Sequence, residues 1–248
     1  MIAQWVWPVL LGLLGGVFGS HIATVALRWP EGRSAMRGRS ACDGCGRTLR
    51  AFELLPIASY LVQRGRCRSC AKPIAPSHFG SEAIGVAIGV AAGVLAPGVE
   101  GVAGAVFGWL LLALGAIDRV AFVLPDPLNA ALALAGLATG LVGLQPAPAE
   151  RLIGGAAGFG SLWLVAVAYR RLRGRIGLGG GDPKLMGAIG LWLGWRPLPG
   201  VLLAACLLGL GWVLLRAAQG RRMGAVDRMP FGTLLAPAAF AMWCVALR

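Results

Sequence analysis

Three aspartates lie at the edges of apolar stretches, where their side chains could carry out acid–base chemistry. Asp118 ends an apolar run, Asp126 follows a Leu-Pro pair, and Asp182 follows three consecutive glycines. Ionisable groups at a membrane boundary are functional candidates by default. Two carboxylates brought together share one proton, because the first negative charge opposes the second ionisation. One of them can then activate water while the other protonates a peptide carbonyl, which is aspartic peptidase chemistry.

Local helix capping is the competing explanation for these aspartates. Asp126 precedes Pro127, a pattern typical of a helix N-cap with proline in the first turn, and we expect it to cap a helix. Asp182 precedes Pro183 in the same way, although a cap does not need the three glycines before it. Asp118 has no cap pattern, and the helix dipole disfavours an acid at a helix C-terminus. The spacing alone does not show that Asp118 and Asp182 meet.

Four cysteines form two pairs with metal-knuckle spacing. Cys42-x2-Cys45 is followed by Cys67-x2-Cys70, which suits a tetrahedral four-thiolate zinc site. Two disulfides or four unrelated thiols are the alternatives, and a reducing cytoplasm would disfavour the disulfides. Such a site has no open coordination position, so zinc would have a structural role here.

The composition indicates that lipid is the solvent for most of the chain. Hydrophobic residues make up 57% of the 248 positions and charged residues 13%. Seven apolar stretches approach the roughly 20 residues that cross a bilayer, and an eighth, 184–196, is shorter. We therefore predict an all-α polytopic membrane protein of about eight spans. The seven longer stretches are 2–27, 79–99, 101–117, 120–149, 152–169, 197–215 and 229–247.

The distribution of basic residues predicts the orientation. Lys and Arg are retained in cytoplasmic loops, and with eight spans all but three of the 23 fall on one side. Both termini are then expected in the periplasm and the cysteine pairs in the cytoplasm. The net charge of +13 is a topology signal and favours anionic lipid over nucleic acid as the partner. The exceptions are Arg151, Arg196 and Arg248.

The polar part of the chain is a single insert with a domain organisation of its own. We predict a first transmembrane helix over 1–27, a cytoplasmic four-cysteine insert over 28–78, and a transmembrane peptidase bundle of about seven helices over 79–248. The insert is small enough to need a metal or disulfides in addition to hydrophobic burial. Elsewhere, small residues such as Gly12, Gly15, Gly16 and Gly19 are typical of closely packed membrane helices.

A set of short motifs follows in a fixed order along the chain. It consists of Gly19-Ser20, Arg28-Trp29-Pro30, the two cysteine pairs, Asp118 with Leu124-Pro125-Asp126, Gly179 to Leu185, and Pro230-Phe231-Gly232. No single motif is specific, but the ordered set is. With these motifs in this order, the chain resembles the type IV prepilin peptidases, which are bacterial GxGD-type intramembrane aspartic proteases. The resemblance covers almost the whole sequence.

The resemblance implies a function and residue roles. It assigns Asp118 and Asp182 as the catalytic pair that removes basic leader peptides from prepilins or pseudopilins at the cytoplasmic face of the bacterial inner membrane. Relatives with the cysteine insert usually also methylate the new amino terminus with S-adenosylmethionine, and Glu82 matches an acid linked to that step. An interfacial Glu82 that faces headgroups or pairs with an arginine is an equally good explanation.

Two other functional classes fit some of these features. Acids and glycine-broken helices also serve proton-coupled transporters, but transport acids lie near the bilayer centre and these aspartates map to one edge. A catalytically silent scaffold of a secretion system would use the cysteine insert for docking, yet it would not need intact aspartates. Neither alternative accounts for the whole set of motifs.

Overall fold

The computed structural model describes residues 4–33, 39–221, 224 and 228–247, and these residues are helical with no β-strand. Of the basic residues that predict the orientation, Arg37, Arg222 and Arg248 lie outside them. The helices are α1 (Val6–Arg28), α2 (Ala58–Val62), α3 (Pro76–Leu95), α4 (Val99–Ala121), α5 (Asp126–Leu141), α6 (Pro148–Arg173), α7 (Gly181–Leu193), α8 (Leu198–Ala218) and α9 (Phe231–Ala246).

The all-helical class is confirmed, and one helix lies in each of the eight predicted apolar segments. Five helices are long and apolar enough to cross a membrane, namely α1, α3, α4, α6 and α8, while α9 is a shorter apolar helix. The number of segments that cross a membrane stays a prediction. The segment predicted over 120–149 is much longer than its helix, because Pro125 precedes α5 and the chain turns at Gly143 with a φ of 84°.

The chain folds as two compact units, Met1–Val120 and Ala121–Arg248. Asp118, Glu82 and the four cysteines belong to the first unit, and Asp182 belongs to the second. The functional domains predicted over 1–27, 28–78 and 79–248 are a different division and stay a prediction.

In the first unit, α1 and α3 meet along glycines. A methyl group added at Gly15 would lie 2.0 Å from the carbonyl oxygen of Gly85, and one at Gly19 would lie 2.4 Å from that of Ser81. Only glycine permits this backbone approach, so the interpretation of the α1 glycines as packing residues is confirmed. Trp109 of α4 donates its indole N–H to the same Gly85 carbonyl at 3.0 Å.

In the second unit, α7 is the central helix and its side chains are nearly all buried. It packs against α6 through Gly154 and Gly190. A methyl group added at Gly190 would lie 2.1 Å from the carbonyl oxygen of Gly154. Trp192 at its far end donates to the Leu132 carbonyl of α5 at 2.6 Å. With 13 residues, α7 is about 20 Å long, which is typical of a buried core helix or a re-entrant segment.

A buried arginine joins the C-terminal ends of α5 and α7. Arg151 is 1% exposed, although the sequence analysis treated it as an ordinary loop cation. The dipoles of both helices place partial negative charge around its guanidinium. Gly140 leaves room for it, since an added methyl group there would lie 2.8 Å from its Cδ. It donates to the carbonyls of Gly136, Leu144, Gln145, Pro146, Leu191 and Trp192 at 2.8 to 3.1 Å.

Candidate active site and metal centre

Asp182 lies at the start of α7, where backbone N–H groups have no partner within the helix. Its side chain is buried, with 6% of the residue exposed. Gly179 donates its N–H to Asp182 Oδ2 at 3.0 Å, and Asp182 returns its own N–H to the Gly179 carbonyl at 3.3 Å. A negative charge is favoured at this end of a helix. The glycine loop therefore fixes the carboxylate and supplies it with a donor.

The glycine loop packs directly on the Leu-Pro-Asp segment. A methyl group added at Gly181 would lie 2.8 Å from Leu124 Cβ, so a side chain there would push the two segments apart. Lys184 in the first turn of α7 forms an ion pair with Asp126, with 2.6 Å between Nζ and Oδ1. The two motifs are thus neighbours within the second unit, which local sequence patterns do not reveal.

The prediction that Asp126 is an N-cap is wrong. The N-cap of α5 is Pro125, and Asp126 is the first helical residue and makes no capping hydrogen bond. Its side chain is 70% exposed and pairs with Lys184 instead. Proline at this cap position has no side-chain acceptor, so the acid next to it is free to form an ion pair with the neighbouring helix.

Asp118 occupies the last turn of α4, in the first unit. It is 5% exposed, and its neighbours Leu114 and Ile117 on the same helix are fully buried. Both candidate catalytic aspartates are therefore buried carboxylates at helix ends, Asp118 at a C-terminal end and Asp182 at an N-terminal end.

The four predicted metal ligands come together. The sulfur atoms of Cys42, Cys45, Cys67 and Cys70 all lie within 4.8 Å of one another, and none is in a disulfide. The Cys42 and Cys70 sulfurs are 3.8 Å apart. A tetrahedral ion with bonds of about 2.3 Å places its sulfur ligands about 3.8 Å apart. The cluster therefore fits a four-thiolate metal ion, and the two-disulfide alternative is not what the fold forms.

Each cysteine pair sits in the same type of backbone turn. The N–H of Cys42 donates to the Arg47 carbonyl and that of Cys67 to the Lys72 carbonyl, both at 2.9 Å. Within the second turn, the N–H groups of Cys70 and Ser69 donate to the Cys67 sulfur and lower the pKa of that thiol to about 6. At Cys70 the N–H of Lys72 lowers the pKa, but burial and the neighbouring sulfurs outweigh it and raise the pKa of that thiol to about 11. One thiol of the cluster therefore ionises readily, and binding of a metal to all four sulfurs releases the remaining protons, because thiolate is the ligating form.

An internal ion pair supports the metal centre, and the sequence analysis did not find it. Arg47 donates to both carboxylate oxygens of Glu53, at 2.7 and 3.0 Å, and Arg50 adds its N–H at 2.9 Å. These bonds, led by those from Arg47, lower the pKa of Glu53 to about 2. Glu53 is therefore ionised at every pH at which the cysteines are thiolates and can bind a metal. In the sequence, the available signal is that Glu53 is one of only three acids in the basic insert, and its burial is visible only in the structure.

Glu82 is buried on α3 and therefore does not face headgroups, and among the described residues no ion pair joins it to an arginine. It is 7% exposed, and its Oε2 accepts the N–H of Ile57 at 2.7 Å. Ile57 has a φ of 61°, an unusual conformation for a β-branched residue. Next to it, Pro56 lies against Gly16 of α1. Glu82 and Gly16 thus hold the Pro56–Ile57 part of the insert against α3 and α1, and the predicted role of Glu82 in methyl transfer stays a prediction.

The sequence matches two family models that together cover most of the chain. The bacterial peptidase A24 N-terminal domain matches residues 13–96, and the type IV leader peptidase family matches residues 105–214. The first range contains the cysteines and Glu82, and the second contains Asp118 and Asp182.

Curated relatives carry one name, prepilin leader peptidase/N-methyltransferase. The relative from Aeromonas hydrophila is 38% identical over 82% of this chain and 70% of its own length, and that from Klebsiella pneumoniae is 38% identical over 81% and 91%. The chain belongs to the type IV leader peptidase family. The Burkholderia pseudomallei relative is 43% identical over 80% of this chain, which spans 64% of that protein's length. No solved structure matches the chain.

Family membership and the apolar helices together identify a multi-pass inner-membrane protein. The side of the membrane on which each loop lies stays a prediction.

Proposed function

We propose that this protein is an aspartic endopeptidase that removes leader peptides from prepilins or pseudopilins at the cytoplasmic face of the inner membrane. The observation that carries the proposal is the burial of Asp118 and Asp182, each at the end of a helix within the matched peptidase region. The relatives' shared name supports the same activity. In this arrangement both termini are periplasmic and the cysteine insert is cytoplasmic, as the basic loops predict.

The positions of the two carboxylates at helix ends favour one of them as the general base and the other as the general acid. Asp182 accepts a backbone N–H at a helix N-terminus, and we assign it the role of drawing a proton from the attacking water. Asp118, in the last turn of α4, is then the partner that holds the shared proton and donates it to the scissile carbonyl oxygen. When the C–N bond breaks, the proton taken by Asp182 passes to the leaving amine and a hydroxyl of the tetrahedral intermediate returns a proton to Asp118.

The activity is tested with the full chain reconstituted in lipid and a prepilin with its leader intact. We expect the mass of the substrate to fall by the mass of the leader, leaving a single new amino terminus. A panel of prepilins and pseudopilins distinguishes substrate preference from inactivity. If no member of the panel is cleaved by folded protein, the peptidase proposal fails, and the transporter and scaffold alternatives take its place.

Gly181→Ala should reduce cleavage at least tenfold, whereas Gly180→Ala should have little effect. An added methyl group at Gly181 would lie 2.8 Å from Leu124 Cβ and displace the loop that holds Asp182, but at Gly180 it would meet nothing within 4 Å. The two variants make the same chemical change at adjacent positions, and initial cleavage rates compare them. Equal rates for both variants would show that the close approach of the two motifs is unimportant for catalysis.

We further propose that the cysteine cluster binds zinc and that zinc holds the insert folded. Cys45→Ser should therefore remove most bound zinc and expose the insert to protease. Cys206→Ser is the matched control, because Cys45 and Cys206 are both exposed but Cys206 lies on α8, outside the cluster. Metal analysis of the purified proteins and limited proteolysis give the two readouts. Zinc retained at the wild-type level in Cys45→Ser would contradict the proposal.

The relatives' name also supports a second reaction, methylation of the newly exposed amino terminus with S-adenosylmethionine as donor. An amine must lose a proton to become a nucleophile, and a buried carboxylate such as Glu82 is a suitable acceptor. S-adenosylmethionine, when bound, would supply the methyl group for that amine.

Glu82→Gln is expected to lower methyl transfer by about 10² while cleavage stays within a few-fold of wild type. The amide oxygen of Gln can still accept the Ile57 N–H, so the variant removes the charge and keeps the contact. Mass spectrometry of the product with and without S-adenosylmethionine separates the two reactions. A variant that methylates normally would leave Glu82 with only its structural contact to Ile57.

A further inference from the structure

A groove opens between α5, α6 and α7 in the second unit, with a volume of about 530 Å³. Most of its lining is apolar, and Leu152 and Phe159 on α6 are substantially exposed. Its polar residues are Asp126, Asn129 and Lys184, which all lie near the N-terminal ends of α5 and α7. The apolar lining includes Ala130, Ala133, Leu152, Phe159 and Leu191.

Asn129 is the unusual member of this lining. It is 5% exposed, and its amide nitrogen donates to the Leu124 carbonyl at 3.4 Å. Its Oδ1 is buried and accepts no hydrogen bond from any described residue. Leaving such an acceptor unpaired is costly, so its presence beside a groove indicates a ligand that donates an N–H or O–H.

The charges at this end of the groove are balanced. Asp126 and Lys184 neutralise each other, yet both remain partly open to solvent, with side chains 70% and 48% exposed. A net-neutral headgroup with a cation and an anion matches this pair better than an anionic one does.

The short helices bring these polar groups toward the lipid headgroups. With 16 and 13 residues, α5 and α7 are about 24 and 20 Å long, less than the roughly 30 Å of a bilayer core. Lipid adapts to short helices by thinning locally. A headgroup is then the polar group nearest to Asn129, and the apolar lining is available to its acyl chain.

We propose that this groove is a binding site for a zwitterionic phospholipid with ammonium N–H donors, namely phosphatidylethanolamine. The ammonium group donates one N–H to Asn129 Oδ1 and pairs through its charge with the Asp126 carboxylate, the phosphate accepts from Lys184, and an acyl chain covers Leu152 and Phe159. A transmembrane helix fits less well, because its backbone N–H groups are already used within the helix and cannot pair with Asn129. Phosphatidylcholine has the same charges but no donor. The site is independent of the proposed peptidase activity.

The experiment measures lipid retention by native mass spectrometry on the delipidated full chain. The added lipids share acyl chains and differ in headgroup: phosphatidylethanolamine, its N-methyl and N,N-dimethyl derivatives, phosphatidylcholine and phosphatidylglycerol. Wild type should retain phosphatidylethanolamine and its N-methyl and N,N-dimethyl derivatives about threefold to tenfold better than phosphatidylcholine. This ratio corresponds to the free energy of one hydrogen bond. Retention should fall only at the last methylation, which removes the final N–H donor.

Asn129→Leu should abolish the preference for phosphatidylethanolamine over phosphatidylcholine, and Thr139→Val should leave it intact. Thr139 is a polar residue on the same helix, outside the groove, and its hydroxyl is satisfied by the Gly136 carbonyl at 2.8 Å. Equal retention of the two lipids by wild type overturns the proposal, as does a gradual loss with each methylation or a preference for phosphatidylglycerol. Displacement of phosphatidylethanolamine by a purely apolar transmembrane peptide would instead show a helix-docking groove. The methylation series tests the proposal even if Asn129→Leu folds poorly.

Discussion

Asp118→Asn and Asp182→Asn are each expected to lower leader removal by at least about 10², the usual contribution of a general acid or base. Asn has nearly the same shape as Asp but cannot hold the proton that the pair must share. In Asp182→Asn the side-chain oxygen can still accept the Gly179 N–H, so the loop geometry is kept while the charge is lost. Initial cleavage rates on a reconstituted prepilin measure the effect.

The double variant distinguishes a shared mechanism from two independent contributions. If the two carboxylates act as one unit, removing the second after the first costs little more, because the unit has already failed. Two independent residues would instead give losses that multiply. We expect the double variant to be as slow as the slower single variant, within a few-fold.

Asp126→Asn is the control for these measurements. Asp126 belongs to the same aspartate-rich motif, but its side chain is exposed and its ion pair with Lys184 is at the surface, where such pairs contribute little. Cleavage by this variant should stay within about fivefold of wild type. If Asp126→Asn is as inactive as the other two, the catalytic pair has been assigned to the wrong aspartates.

Local patterns were sufficient to predict the parts of the molecule that depend on short spacings. The cysteine cluster follows from two C-x2-C pairs, since each pair shapes its own turn. Close packing of α1 against another helix follows from its glycines, because the absence of side chains lets two backbones approach, but the sequence does not show that the partner is α3. The candidate catalytic aspartates were selected from motif order and boundary position, and their burial agrees with that choice.

Pairings between distant residues could not be predicted in this way. Lys184 reaches Asp126, and Glu82 reaches the N–H of Ile57, only after helices have packed together. A helix N-cap and an exposed ion pair leave the same Asp-Pro signature in sequence. The cap interpretation of Asp126 was wrong for that reason.

Arg151→Met is expected to destabilise the protein by at least about 3 kcal/mol. The structural role of Arg151 was not predicted from the sequence. A single arginine between apolar segments is usually an interfacial cation with its charge in water. Here it is buried, and all its hydrogen bonds run to backbone carbonyls, with no ion pair to a carboxylate among the described residues. Methionine fills similar space but leaves those carbonyls unpaired, at about 1–3 kcal/mol for each that water cannot reach.

Arg196→Met provides the matched comparison, because the same change removes a cation that is exposed. Arg196 is 72% exposed and pairs with Glu150 at 3.2 Å, so its loss should cost less than about 1 kcal/mol. Arg151→Lys should fall between the two, because an ammonium has three donors and no fork to span the ends of α5 and α7. Unfolding midpoints in detergent rank the three variants. If Arg151→Met and Arg196→Met have the same unfolding midpoint, water satisfies the cluster of carbonyls, and Arg151 does not join α5 to α7.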